Sequence, residues 1–274
     1  MPSIWPDTSL LTSANFKRAR YEARNAVFWM ARGAHSYLEV ENNNKHIELE
    51  WQKDSKTLRT KIFCENLQVG LSLPKLEMFF CEDGKKVKHS FWFDERTPAY
   101  VEAWYLVELL HRDKDQSRFS SDLPFDSKEF FLGDTEEHDA PAVALELRAL
   151  NDCIVKAADI CTEVNRNLVT NGDVVSNDNP IVCRPENFTF GFEASSSARS
   201  GENIVIGLSA GDDLRPAPFF FVSSNQNKKR ETIHALDFNP ENLLFLKTVV
   251  EKNMDDASIS NRLLEKARFL LSKC

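Results

Sequence analysis

The sequence predicts an α+β fold made of two pseudo-symmetric repeats, each a helix, three or four mostly antiparallel strands and a closing helix. Three observations predict it. The first is a recurring order of short segments. Val69-Gly70-Leu71-Ser72, Met78-Phe79-Phe80-Cys81, Lys85-Lys86 and Phe93-Asp94 precede Thr97-Pro98 and an apolar-periodic run. Ile206-Gly207-Leu208-Ser209, Phe219-Phe220-Phe221-Val222, Lys228-Lys229 and Leu236-Asp237 precede Asn239-Pro240 and a similar run. Spacings differ by a few residues, as loop insertions would make them. The second observation is that each half opens with an apolar stripe at helical spacing. The third is a set of alternating segments between that stripe and the Gly-Leu-Ser segment, which reads as strands.

Taken in order, Phe16, Arg20, Ala23, Val27 and Met30 define the first helix, and His46 to Gln52 and Thr57 to Phe63 are strand candidates. Thr97-Pro98 is a strong helix start, because threonine caps orphan N–H groups and proline at the first position loses no hydrogen bond. It predicts a helix over 98–112. Residues 113–139, rich in Asp, Glu, Ser and Lys and broken by Pro124 and Gly133, read as a solvated acidic linker. The repeats are then 1–112 and 140–274. In the second, Val143, Leu147, Leu150, Ile154, Ala157, Cys161, Val164 and Leu168 form the clearer helical stripe. Residues 169–180 have turn composition and predict a mobile loop, Phe188 to Glu193 is a strand, and Asn239-Pro240 predicts a helix over 240–252. An extra C-terminal helix begins near Ser258, with Ile259, Leu263, Ala267 and Leu270 on one face. The runs Phe91-Trp92-Phe93 and Phe219-Phe220-Phe221 predict strands buried on both faces, with helices on one and the other repeat on the other. A pocket is then expected between the repeats.

Composition narrows the function classes. The chain has 274 residues, 42% hydrophobic and 28% charged, enough to bury a core without disulfides or metals. Lysine plus arginine number 34 against 42 aspartates and glutamates, a net charge of −8 that disfavours nucleic-acid binding. No stretch approaches the roughly 18 unbroken apolar residues of a membrane span. The start, Met1-Pro-Ser-Ile-Trp-Pro-Asp, lacks a basic and then apolar leader, which predicts a cytoplasmic protein. Cys64, Cys81, Cys153, Cys161, Cys183 and Cys274 show no C-x-x-C spacing and read as reduced, packed thiols.

Asn179-Pro-Ile-Val-Cys-Arg-Pro-Glu-Asn-Phe-Thr-Phe, Ile206-Gly-Leu-Ser-Ala-Gly-Asp and Ala217-Pro-Phe-Phe-Phe-Val resemble a bacterial family of unknown function. That family carries W-P-x-x-F-D, G-x-S-P-G-D and E-P-Y-x-Y elements in this order. The resemblance is best over 179–224 and implies no activity. Arg184 stands at the tryptophan, Glu186-Asn187 where histidines are common, Thr189 at the aspartate and Ala210 at the proline, whereas Asp212 and Pro218 fit. A site made by the family's histidines is therefore not expected here.

The most distinctive loop is Leu208-Ser-Ala-Gly-Asp-Asp-Leu-Arg-Pro-Ala-Pro. Asp212 and Asp213 beside Arg215 suit a bound cation or a polarised water, and they equally suit a turn in which Asp212 caps backbone N–H groups; turn chemistry favours the latter. The histidines, His35, His46, His89, His111, His138 and His234, show no zinc spacing and are expected mostly at the surface. His89 and His234 hold similar places in the two repeats. Lys85-Lys86 and Lys228-Lys229-Arg230 are expected at hairpin tips, charged for solubility. No nucleophile elbow, Walker loop or G-x-G-x-x-G fingerprint occurs in the sequence.

These features predict a non-catalytic binding or adaptor protein without metal or cofactor, taking a small molecule or a protein, with homo-oligomerisation compatible. The ligand-binding candidates are Asp212, Asp213, Arg215, Arg184, Glu193 and His234. One alternative is an enzyme for a small polar substrate that uses Asp212, Asp213 and Arg215 beside Arg184 or Glu193. The other is a structural or assembly protein, which predicts a large exposed apolar patch.

Overall fold

The structure is a computed structural model that describes residues 5–127, 136–175, 179–198, 202–226 and 240–273. Helix α1 (Thr8–Leu11) leads into α2 (Ala14–Tyr37), followed by a 3-10 segment at Asn42–Ile47. Strands β1 (Leu49–Gln52), β2 (Thr57–Arg59), β3 (Leu67–Ser72), β4 (Glu77–Glu82), β5 (Lys85–Lys86) and β6 (Phe91–Trp92) precede α3 (Pro98–Leu110). Then come α4 (Ala144–Thr170), β7 (Val182–Arg184), β8 (Thr189–Ser195), β9 (Glu202–Ser209), β10 (Phe219–Gln226), β11 (Leu243–Phe245), α5 (Leu246–Glu251) and α6 (Asp256–Lys273). Helices and antiparallel strands mix, as the α+β reading requires.

The chain forms two compact units. One comprises Ser13–Asn151 and Arg184–Glu186; the other comprises Met1–Thr12, Asp152–Cys183 and Asn187–Cys274. We call them the first and second unit.

In the first unit α2 starts where Ser13 Oγ accepts the Phe16 N–H at 3.0 Å, satisfying one orphan donor of the opening turn. The sheet is antiparallel throughout, β1 to β2, β2 to β3 and β3 to β4, with β5 and β6 both on β4. Gly70 lies opposite Phe79 and Met78 opposite Phe91. Helix α2 packs on β3. Helix α3 is fastened by Tyr105, which is fully buried and donates from its hydroxyl to the Trp29 carbonyl at 2.9 Å. Its ring stacks on Phe119 at 4.9 Å and meets Phe80 edge-on at 5.7 Å. Gly33 of α2 permits this approach, since a Cβ there would stand 2.9 Å from the phenol oxygen.

In the second unit β8, β9, β10 and β11 are antiparallel neighbours. Gly207 lies opposite Gly191 on one side and Phe221 on the other, and Phe220 opposite Leu244. Phe190, Phe192, Phe219, Phe220 and Phe221 are buried, and α6 packs on β9 and β10. Trp5 meets Phe220 edge-on at 6.0 Å. Asp255 Oδ1 caps α6 by accepting the Ser258 N–H at 2.8 Å.

Several expectations change. Asn239 lies outside the described residues, and the helix expected over 240–252 is instead a 3-10 turn at Pro240–Asn242, strand β11 and the short α5. Leu243 to Phe245 go extended because each pairs with a phenylalanine of β10, a ladder that local propensity does not register. Thr97 makes no side-chain capping bond to α3, which begins on proline's fixed φ alone. His46 is in the 3-10 segment, not a strand, and Phe63 returns only a single bridge to Leu67. The described part of the acidic connection is strapped to α2. The Asp115 carbonyl accepts the Tyr37 hydroxyl at 2.7 Å, the Ser121 carbonyl accepts Arg32 Nε at 2.5 Å, and Phe125 meets Phe28 at 5.6 Å. Of 169–180, Val174 bridges to Ser196 and Asn179 donates to Asn165 Oδ1 at 3.1 Å. Lys228-Lys229-Arg230, His234, Leu236-Asp237 and Cys274 lie outside the described residues.

Candidate functional site

The loop between β9 and β10 is closed on itself. Asp212 Oδ1 accepts the N–H groups of Leu214 and Arg215 at 2.9 and 2.6 Å, and Oδ2 accepts Arg215 Nε and Nη2 at 3.0 and 2.7 Å. The Arg215 carbonyl accepts the Asp212 N–H at 2.8 Å, and its guanidinium lies 5.1 Å from the centroid of the Phe219 ring. Both carboxylate oxygens thus hold the turn, the arrangement that an aspartate with an arginine three positions later favours locally. Gly211, at φ 97°, supplies the left-handed step, and its N–H donates to Ser209 Oγ at 3.1 Å. Asp213 is exposed at the loop's tip. Both oxygens of Asp212 are already engaged by the turn and by Arg215, which leaves the carboxylate little capacity for a cation or a water.

Glu193 does not join this loop. It sits opposite Val205, whereas Thr189 sits opposite Ser209, so four residues of strand, roughly 13 Å, separate it from the loop's start. Its Oε1 accepts Asn203 Nδ2 at 2.7 Å. The second unit therefore offers Asp212 and Arg215 together without Glu193. This corrects the expectation that Glu193 is available beside the loop.

Arg184 belongs to the first unit. Its side chain is 3% exposed, and Nε lies 3.0 Å from Glu48 Oε1. Beside it Arg24 Nη2 donates to the Glu186 carbonyl at 2.8 Å, pinning residues 184–186 to α2. Burial of a guanidinium with a carboxylate makes a positional clamp, costly to break, and it leaves little access for an anionic ligand. His89 is exposed at φ 71°, and its carbonyl accepts Trp104 Nε1 at 3.2 Å.

Of the described histidines, expected mostly at the surface, two are inside. His138 is 2% exposed; its Nδ1 lies 3.0 Å from Glu22 Oε2, and the Asp139 N–H donates to Glu22 Oε1 at 3.1 Å. Arg18 adds contacts of 3.6 Å to Glu22 and 3.7 Å to Asp139, and Phe93 meets the imidazole edge-on at 5.0 Å. His138 also exchanges backbone hydrogen bonds with the segment after Asp94, donating to the Arg96 carbonyl and accepting from the Glu95 N–H. The Asp94 carboxyl is held above its usual range by burial and by the charges of Glu95, Asp139 and Glu22. A carboxylate that orients an imidazole is a familiar acid–base pairing, but the buried ring acts here as a clasp between α2, residue 94 and residue 138. Glu22 was legible in part, because it adjoins Ala23 of the inward stripe; its partner 116 residues away was not. The other buried histidine, His46, contacts His35.

Helix α3 carries two apolar faces. Val101, Tyr105 and Leu109 are buried, whereas Tyr100, Ala103, Val107 and Leu110 form an exposed row at spacings of three, four and three residues, Tyr100 and Leu110 each 59% exposed. Among the described residues no three His, Cys, Asp or Glu side chains are grouped to hold a metal ion. No described helix is long and apolar enough to cross a membrane. No family model matches the chain, and comparisons with curated proteins and with solved structures give no match.

Proposed function

We propose that the chain is a non-catalytic binding or adaptor protein, made by duplication of one α+β unit, that engages a protein partner in the cytoplasm. The observation that carries this reading is the closure of Asp212 on Arg215 and on its own turn, which uses the side chains best suited to acid–base work for structure. The apolar row on α3 supports a macromolecular partner over a small polar one. Duplication is supported by the same antiparallel order around Val69-Gly70-Leu71-Ser72 and Ile206-Gly207-Leu208-Ser209, and by the phenylalanine opposite each glycine. The kinship with the bacterial family over 179–224 belongs to the same proposal. Five described cysteines are free thiols, four of them buried, which suits a reducing compartment.

The test is thermal denaturation of the full chain against divalent metals, nucleotides and organic acids. A binding protein for another protein shifts by less than about 1 °C with each, because stabilisation follows occupancy of the native state. Stabilisation of several degrees by one compound, abolished in Asp212→Asn, would replace this reading with the enzyme alternative at the 208–218 loop.

A further inference from the structure

The last turn of α2 meets the 3-10 segment Asn42–Ile47 through two imidazoles. His46 is fully buried and His35 half-buried; His35 Nδ1 and His46 Nε2 are 2.9 Å apart. The Glu41 N–H donates to His46 Nδ1 at 3.3 Å. These contacts fix the protons. A nitrogen that accepts from a backbone N–H carries no proton, so neutral His46 is protonated on Nε2 and donates to His35 Nδ1. His35 then carries its proton on Nε2. The one nitrogen of the pair not engaged by a proton or by the ring-to-ring bond is His46 Nδ1, and it faces a donor.

We propose that the His35–His46 pair is an acid-sensitive latch: when neutral it fastens residues 41–47 to the end of α2, and a proton on His46 releases them. Protonation sets an imidazolium N–H against the Glu41 N–H inside the protein. What the latch holds is a sharp reversal, with Asn43 and Asn44 both left-handed at φ 59° and 57°. Ile47 at its end joins Ala31 and Ala34 of α2 in a buried cluster against which Leu38, Leu123 and Phe125 pack. The charged groups facing His46 are His35 from α2, Glu41 from the connection and Lys61 beyond β2; Leu123 and Phe125 bring none. Glu41, the attractive charge among these described groups, is engaged by Lys61 at 2.7 Å.

Burial, His35 and Lys61 push the His46 pKa below its ordinary 6.5, with Glu41 opposing. The sign follows. The open form takes the proton more readily, so the latch contributes fully above the ordinary value, and its contribution drains as pH falls through 6.5 toward the depressed folded value.

The experiment is nitrogen NMR of the imidazoles together with amide exchange on the full chain. Both rings should be Nε2–H tautomers at neutral pH, and His46 should titrate below 6.5. Lowering the pH from about 7.5 to about 5.5 should cut protection of amides 41–47 by about tenfold, relative to α4 and corrected for intrinsic exchange. His46→Asn, whose Oδ1 keeps an acceptor near the Glu41 N–H without a titrating ring, should remove that pH dependence. An Nδ1–H tautomer of His46, a titration at or above 6.5, or unchanged protection in the wild type overturns the latch. The wild-type readouts decide the matter even where the variant fails to fold.

Discussion

Gly70 and Gly207 each lie in an inner strand of their unit's sheet and opposite a phenylalanine, yet they make room for different things. A Cβ at Gly70 would enter the ring of Phe79, a side chain that covers the strand and is itself covered by Lys86, whose Nζ is 4.4 Å from the ring centroid. A Cβ at Gly207 would enter backbone, the Phe190 carbonyl and the Cα of Gly191, and one at Gly191 would enter the Ile206 carbonyl. A ring can swing; paired strands cannot part without losing their ladder. The contrast extends to the units. The first relies on buried polar clasps, Glu22 with His138, Glu48 with Arg184 and His35 with His46. The second relies on phenylalanines from β8 and β10.

The largest expected effect tests the glycines. Gly207→Ala should destabilise by about 3 kcal/mol and Gly70→Ala by about 1 kcal/mol in urea denaturation, the two ends of the usual overpacking range. Equal losses, or a larger loss at Gly70, would break the distinction between ring and backbone.

A second test concerns the connections that follow these strands. From β3 the chain turns through Leu73–Lys75 and left-handed Leu76 at φ 43°, whereas residues 210–218 after β9 depend on Asp212. Asp212→Ala should cost about 1 kcal/mol, the net worth of partly exposed hydrogen bonds, and should raise amide exchange at Leu214 and Arg215 before it changes β9 or β10. Uniform loosening of the second unit would mean the loop organises the sheet.

The smallest effect sharpens the electrostatic contrast. The Asp94 carboxyl, raised by burial and by Glu95, Asp139 and Glu22, is strained by its own charge. A raised carboxyl favours the fold when protonated, and that advantage is lost as pH rises through the folded value. Asp94→Asn should therefore stabilise by about 0.5 kcal/mol at neutral pH and by nothing well below the carboxyl range, read from thermal melts at the two pH values. A loss of stability at neutral pH would show that Asp94 holds the His138 segment through its charge.

The legible parts of the fold share one property. The amphipathic stripes of α2 and α4, proline at the start of α3 and the start of α6 follow from residues a few positions apart, and so does the Asp212 turn, whose hydrogen bonds span two and three residues. Residues 243–245 depart from the helical expectation because their conformation answers to their partners Phe221, Phe220 and Phe219 of β10, far earlier in the chain. Glu193 looked available to the 208–218 loop by residue type, and only the register with Val205 carries it down the strand. Histidine is placed at the surface by its average behaviour, and His46 and His138 depart from that average because each found a partner inside.

By itself the sequence determined the α+β composition, the amphipathic helices α2 and α4, and the turn that Asp212 closes, since hydrogen bonds and apolar periodicity within a few residues suffice for each. Tertiary structure alone decided which polar groups go inside. A buried imidazole or carboxylate is stable only where a partner meets it, and for Glu22 and His138 that partner is 116 residues away.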